Sequence, residues 1–209
     1  VTKKIFRAVK AKTKSALSLT KKGFKSLKSN GFKATVRKIK NRKRRTAQLG
    51  SMCKDYYTLS AREREHQSSH KFDREIKISI LVPLYNTPIK FLAEMINSVK
   101  AQTYGNWELC LADGSDAEHC EVENVCRRYA SHDSRIKYEK LEKNLGISEN
   151  TNACIRMAAG DYIALFDHDD ILHPSALFEV MRAICEKGAD MIYTDENTFS
   201  TIPEEGYCP

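Results

Sequence analysis

The feature that most limits what this chain can fold into is an alternation, from residue 76 onward, of short β-branched runs with amphipathic stretches of ten to fifteen residues. Lys77-Ile78-Ser79-Ile80-Leu81-Val82, Glu108-Leu109-Cys110-Leu111-Ala112, Ile136 to Leu141, Tyr162-Ile163-Ala164-Leu165-Phe166 and Met191-Ile192-Tyr193 read as strands. Pro83 is expected to end the first ladder, because it carries no N–H. Thr87 caps a helix opening at Pro88, in which Phe91, Leu92, Met95, Ile96 and Val99 recur on one face. Further helices are predicted over 118–131, over 148–159 with Gly160 as a left-handed stop, and from Pro174 to about Lys187. Strands and helices in this order predict an α/β fold of βαβ units, with a mainly parallel sheet covered by helices on both faces.

Charge divides the chain before that domain begins. Residues 1–50 contain 18 Lys and Arg and no Asp or Glu, leaving 17 basic against 27 acidic residues in the remainder, a net −10. The overall +8 is therefore not the signature of one basic domain, and nucleic acid is an unfavoured partner. Apolar residues such as Ile5, Val9, Phe24 and Leu27 lie among the lysines with helical spacing, so 1–50 reads as a basic arm, helical or partly disordered. Residues 51–75 suit a connecting helix ending near Phe72, and 76–209 form the α/β domain. The seven cysteines are odd in number and contain no C-x-x-C pair, which argues for free thiols in a reducing, cytoplasmic setting. No run of eighteen apolar residues exists to span a bilayer.

In an open α/β sheet the ligand crevice lies beyond the carboxyl ends of the strands. Here those positions read Pro83-Leu84-Tyr85-Asn86, Asp113-Gly114-Ser115-Asp116, Asp167-His168-Asp169-Asp170 and Thr194-Asp195-Glu196-Asn197. The carboxylates of Asp167, Asp169 and Asp170 repel one another without a cation, and hard oxygen ligands suit Mg²⁺ or Mn²⁺. His168 has no second His or Cys at ligand spacing, which disfavours zinc. The first strand is not followed by G-x-G-x-x-G, which disfavours a dinucleotide fold.

Ile78 to Asn86, Gln102-Thr103-Tyr104, Ala112-Asp113-Gly114-Ser115, Asn144-Leu145-Gly146 and Gly160-Asp161-Tyr162 to Asp170 occur in this order. The ordered set resembles the donor-binding half of family 2 glycosyltransferases with the GT-A fold, over about residues 76–200, and most resembles bacterial members that build cell-surface polysaccharides. The resemblance implies that Pro83 and Tyr85, with Asn86 beside them, line a base pocket and that Asp113 accepts a hydrogen bond from the base. It implies that Asn144 and Gly146 lie near the sugar. Asp167 and Asp169 match a metal-binding D-x-D pair around His168, with Asp169 the direct ligand, and Asp170 matches either a donor-sugar contact or a residue that supports the metal ligands from behind. Asn152 matches an asparagine that commonly follows an arginine in the family, but Thr151 precedes it here, which puts a diphosphate contact in doubt. Ala112 stands where many members have a second Asp.

The reaction implied is inverting transfer of a sugar from a nucleotide-diphosphate donor to a saccharide or lipid-linked acceptor, with a divalent metal stabilising the leaving diphosphate. Asp195 and Glu196 are candidate bases beside Asp170. In the family the base usually comes later than the residues present here, so donor binding without efficient transfer is the expectation for this chain. A nucleotide-sugar-binding module, or an arm-driven protein binding membrane or nucleic acid, are the competing readings. The arm suits an anionic surface, which would place the protein peripherally at the inner face of the plasma membrane.

Overall fold

The computed structural model describes residues 58–196. The basic arm, with the membrane role expected of it, the first part of the connecting segment and everything after Glu196 lie outside the described residues. Within them, α1 spans Ala61–Ser69, β1 Ile78–Leu84, α2 Ile89–Lys100, β2 Trp107–Asp113, α3 Cys120–His132 after a short 3-10 turn, β3 Ile136–Lys140, α4 Ile147–Met157, β4 Tyr162–Leu165 and α5 Ala176–Lys187. The strands form one sheet in the order β3-β2-β1-β4, and every pairing is parallel. No described helix is long and apolar enough to cross a membrane.

Alternation of side chains along β1 builds two unequal layers. Ile78, Ile80, Val82 and Leu84 point into the larger core with Leu92, Met95, Ile96 and Val99 of α2, Val122 and Cys126 of α3, and Leu177, Met181 and Ile184 of α5. On the opposite face, Leu81, Cys110 and Ala112 pack beneath Ala153 and Cys154 of α4. Helices therefore cover both faces. The chain moves from β1 outward to β3 and then returns across the sheet to β4, so the order reverses between β1 and β4. That reversal is where an open α/β sheet forms its crevice.

Several expectations change for local physical reasons. β1 runs through Pro83 to Leu84, with Pro83 opposite Ala112. Odd-numbered residues of β1 bond towards β4, whose last ladder bond is Phe166 N–H to Leu81 O at 3.1 Å, so the absent Pro83 donor falls where pairing has already ended. Helix α2 starts at Ile89 without a side-chain cap from Thr87, and Phe91 is 42% exposed rather than part of the buried stripe. Gly160 is not a left-handed stop, because α4 ends at Met157 with an extended Ala158 cap. Glycine is required at 160 for close approach: a Cβ there would stand 2.6 Å from both Lys77 O and Ser79 Oγ. Met191-Ile192-Tyr193 does not form a strand. Ile192 packs against the core while Met191 and Tyr193 are 86% and 89% exposed.

The five described cysteines are free thiols. Burial pushes Cys110 and Cys126 up to about 12 and Cys154 up to about 11, so all three stay protonated and act as packing groups.

Candidate functional site

The three loops that follow β1, β2 and β3 converge on residues 113–116. Asp113, the last residue of β2, is fully buried. Its Oδ1 accepts from the Ser115 N–H at 2.8 Å, and its Oδ2 accepts from the Tyr138 hydroxyl at 2.8 Å and the Lys140 ammonium at 3.3 Å. A buried carboxylate without such donors would cost several kcal/mol. Burial, then donation to Asp113, raises the Tyr138 hydroxyl far above its ordinary value, so it remains a donor. Tyr138 and Lys140 lie two residues apart on β3 and so share one face, the signal by which they could have been found from sequence.

Ser115 and Asp116 join that hub to the end of β1. Asn86 adopts a left-handed φ of 50°, which Asn tolerates better than most residues. Its N–H donates to Ser115 Oγ at 2.8 Å, its Nδ2 donates to Asp116 Oδ2 at 2.8 Å, and its Oδ1 accepts the Asp116 N–H at 3.0 Å. The Tyr85 hydroxyl donates to the same Asp116 Oδ2 at 3.1 Å. Hydrogen bonds from Asn86, then from Tyr85, hold the Asp116 carboxyl below its ordinary range. Tyr85 itself is 43% exposed, and Pro83 is buried inside β1.

The loop before α4 docks on the same hub. Asn144 Oδ1 accepts from the Gly146 N–H and from Asn150 Nδ2, each at 2.9 Å. A Cβ on Gly114 would lie 3.1 Å from the Asn144 backbone, so a larger residue at 114 would push these loops apart by a few tenths of an ångström. Gly146 has a φ of 88° and opens α4. Asn152 is exposed on that helix. The buried Asn150, which closes the loop, is a residue the motif reading passes over.

The fourth loop follows β4 on the far side of β1. Asp167, Asp169 and Asp170 are exposed, and His168 is half-buried. Partial burial, then the charges of Asp169, Asp167 and Glu196, raises the Asp170 carboxyl above its ordinary range. Glu196 is thus brought into the electrostatic neighbourhood of the acidic loop, and both it and Asp195 are exposed. His168 Nδ1 is enclosed without a hydrogen-bond partner, 3.9 Å from Asp169 Oδ1.

This loop is held from behind by α2. Ser98 Oγ accepts the Leu172 N–H at 3.1 Å. Gln102 Nε2 donates to His173 O at 2.8 Å, and its Oε1 accepts the Leu177 N–H at 3.0 Å. Thr103 serves the same junction, its N–H donating to Pro174 O at 3.0 Å, whereas the Tyr104 hydroxyl donates to Ile76 O just before β1. Gln102 and Thr103 are therefore scaffold for the chain that follows the acidic loop, and Tyr104 for the entry to β1.

Among the described residues no three His, Cys, Asp or Glu side chains gather closely enough to cage a metal ion. Mg²⁺ does not need such a cage, since one or two carboxylates with substrate phosphate oxygens commonly hold it. Mutually repelling, exposed carboxylates with an unpartnered histidine nitrogen beside them fit that kind of shared site and do not fit a protein-only zinc centre.

Residues 79–195, more than half of the chain, match glycosyl transferase family 2, and the chain belongs to that family. The protein y4gI of Sinorhizobium fredii is 48% identical over 121 residues, which are 57% of this chain and 13% of y4gI. EpsE of Bacillus subtilis is 35% identical over 144 residues, 62% of this chain and 50% of EpsE. This chain thus spans half or less of the length of these curated relatives. The crystal structure of S. aureus TarS residues 1–349 superposes with a TM-score of 0.50 at 24% identity, over 55% of this chain and 34% of that one. It shares the fold, so the parallel sheet with its helices is of the GT-A type.

Proposed function

We propose that residues 76–196 are the donor-binding part of a glycosyltransferase that takes a sugar from a nucleoside-diphosphate carrier and passes it to a saccharide or lipid-linked acceptor in surface-polysaccharide synthesis. The observation that carries this reading is the meeting of the loops after β1, β2 and β3 around a buried carboxylate, with an acidic loop across the point where the strand order reverses. A nucleobase suits the Tyr85 and Asp113 side, and a diphosphate suits a cation-bearing acidic loop.

Asp167 and Asp169 would hold Mg²⁺ or Mn²⁺ together with diphosphate oxygens, and His168 would close that loop. When bound, the cation supplies charge neutralisation for the departing diphosphate. Asp113 orients the base end by accepting its N–H. Asn144 and Gly146 border the sugar, and Asn152 lies further along α4. Asp170 stays an exposed carboxyl beside the donor sugar, where it orients the ring by hydrogen bonding. Glu196 or Asp195 would take the acceptor hydroxyl proton in an inverting displacement. The basic arm of residues 1–50 suits an anionic membrane on which lipid-linked acceptors sit.

Release of nucleoside diphosphate from UDP-, dTDP- and GDP-sugars in Mn²⁺ tests this reading. One donor should be consumed at a rate that Asp170→Asn lowers at least roughly tenfold, whereas no release from any donor, or an unchanged rate in the variant, would contradict it.

A further inference from the structure

Tyr85 would make a poor binding surface if its ring were free to turn. The residue is 43% exposed, sits just beyond the last residue of β1 and follows no helix that could fix it. Its hydroxyl is instead tied to Asp116 Oδ2, the oxygen that also receives Asn86 Nδ2. The next backbone unit is locked by two more bonds, Asp116 N–H to Asn86 Oδ1 and Asn86 N–H to Ser115 Oγ. Four hydrogen bonds therefore join two loops that share no ladder pairing beyond Leu84 and Asp113. They also hold Asn86 in its left-handed conformation. The base of this bridge is itself anchored, because the Lys140 ammonium donates to Ser115 O at 2.5 Å and to Asp113 at 3.3 Å.

We infer that Asp116 is a positioning residue of the donor site: it holds the Tyr85 ring and the Asn86 turn as a preformed wall against which the nucleobase stacks. The inference rests on the donor-binding reading above. An aromatic ring held in place gains the full stacking contribution, whereas a free ring must first be ordered at an entropic cost. Both donors meet one oxygen of Asp116. An asparagine presenting its carbonyl oxygen there keeps both bonds, and an alanine keeps neither. Because Asp116 is exposed, its replacement leaves the core untouched.

The test is calorimetry of the full chain with UDP, dTDP and GDP in Mn²⁺, and with the matching nucleoside monophosphate. Asp116→Ala should weaken the best of these ligands roughly tenfold, a loss of about 1.4 kcal/mol. The loss should be the same for the monophosphate, because it arises at the base. Asp116→Asn should restore affinity to within about twofold, and Tyr85→Phe should cost much less in the Asp116→Ala background than in the wild type. The Mn²⁺ concentration at half-effect and the unfolding midpoint should not move. Wild-type affinity in Asp116→Ala, or equal losses in the Asn and Ala variants, would overturn the positioning role while leaving the donor site standing. Failure of the wild-type chain to bind any of the nucleotides would overturn the donor reading and this inference with it.

Discussion

Glu108, the second residue of β2, is 1% exposed, and its partners decide what that burial costs. Oε1 accepts from the Ser79 hydroxyl at 2.7 Å and from the Ala159 N–H at 2.5 Å. Oε2 meets the Lys77 and Lys137 ammonium groups at 2.5 and 3.0 Å, as ion pairs outside aligned hydrogen-bond geometry. Burial alone would raise this carboxyl, but Lys77, Ala159, Ser79 and Lys137 together bring it down from 4.5 to about 2. A depressed folded-state value contributes stability above the unfolded value and loses it as pH falls through the folded one. The contribution is on the order of 2–3 kcal/mol after screening at the partly exposed lysines. Denaturant titrations should therefore show stability falling between pH about 4.5 and about 2, with a shallower fall in a Glu108→Gln protein that is already weaker at neutral pH. Identical pH profiles would remove Glu108 from the account. The same neighbourhood explains the Gly160-Asp161 pair: glycine admits the close approach to Ser79, and Asp161 Oδ2 accepts the Lys77 N–H at 2.8 Å.

At the scale of elements, α2 does two jobs with its buried side. Leu92, Met95, Ile96 and Val99 fill the core, and Ser98, with Gln102 just past the helix end, holds the return of the chain after the acidic loop. Replacing Gln102 by Ala leaves the Leu177 N–H and Ser98 O short of a partner and takes from His173 O one of its two donors, the Ala176 N–H remaining, which should cost about 2–3 kcal/mol by chemical denaturation. It should also weaken Mn²⁺-dependent nucleotide binding, because the loop loses its rear anchor. A variant with unchanged stability would show that these bonds contribute little. The strands β1 and β2 and the helix α2 are legible from sequence, since β-branched runs and a three-to-four spacing report burial directly. The Met191–Tyr193 run misleads because strand preference is a preference for a half-buried surface, and only Ile192 finds one. Pro83 misleads because its lost donor matters only where a neighbouring strand continues. In the site, strand-end position marks Asp113 and Asp167–Asp170, whereas the supports from Asp116, Tyr138, Lys140 and Gln102 arise from contacts distant in sequence.

Taken as a whole, the chain joins a +18 arm to a remainder of net −10, with acidic loops at the carboxyl ends of β2 and β4. Each Lys or Arg close to an anionic surface contributes about 1 kcal/mol, so engagement of a third of the arm would give firm, salt-sensitive association. Sedimentation with phosphatidylserine vesicles should fall sharply on deletion of residues 1–50 and with added salt, and binding that survives the deletion would show that the arm is not the anchor. The domain itself should bind its donor without the arm. A nucleoside diphosphate and the carboxylates of Asp167–Asp170 should tolerate one another only across a shared cation. The most direct measurement is calorimetry of UDP, dTDP and GDP against the wild-type chain and Asp169→Ala, each in Mn²⁺ and in chelator. One nucleotide should bind at least roughly tenfold tighter in Mn²⁺ than in chelator, with most of that difference lost in Asp169→Ala; equal affinity in Mn²⁺ and chelator, or a Mn²⁺ effect untouched by the substitution, would contradict it.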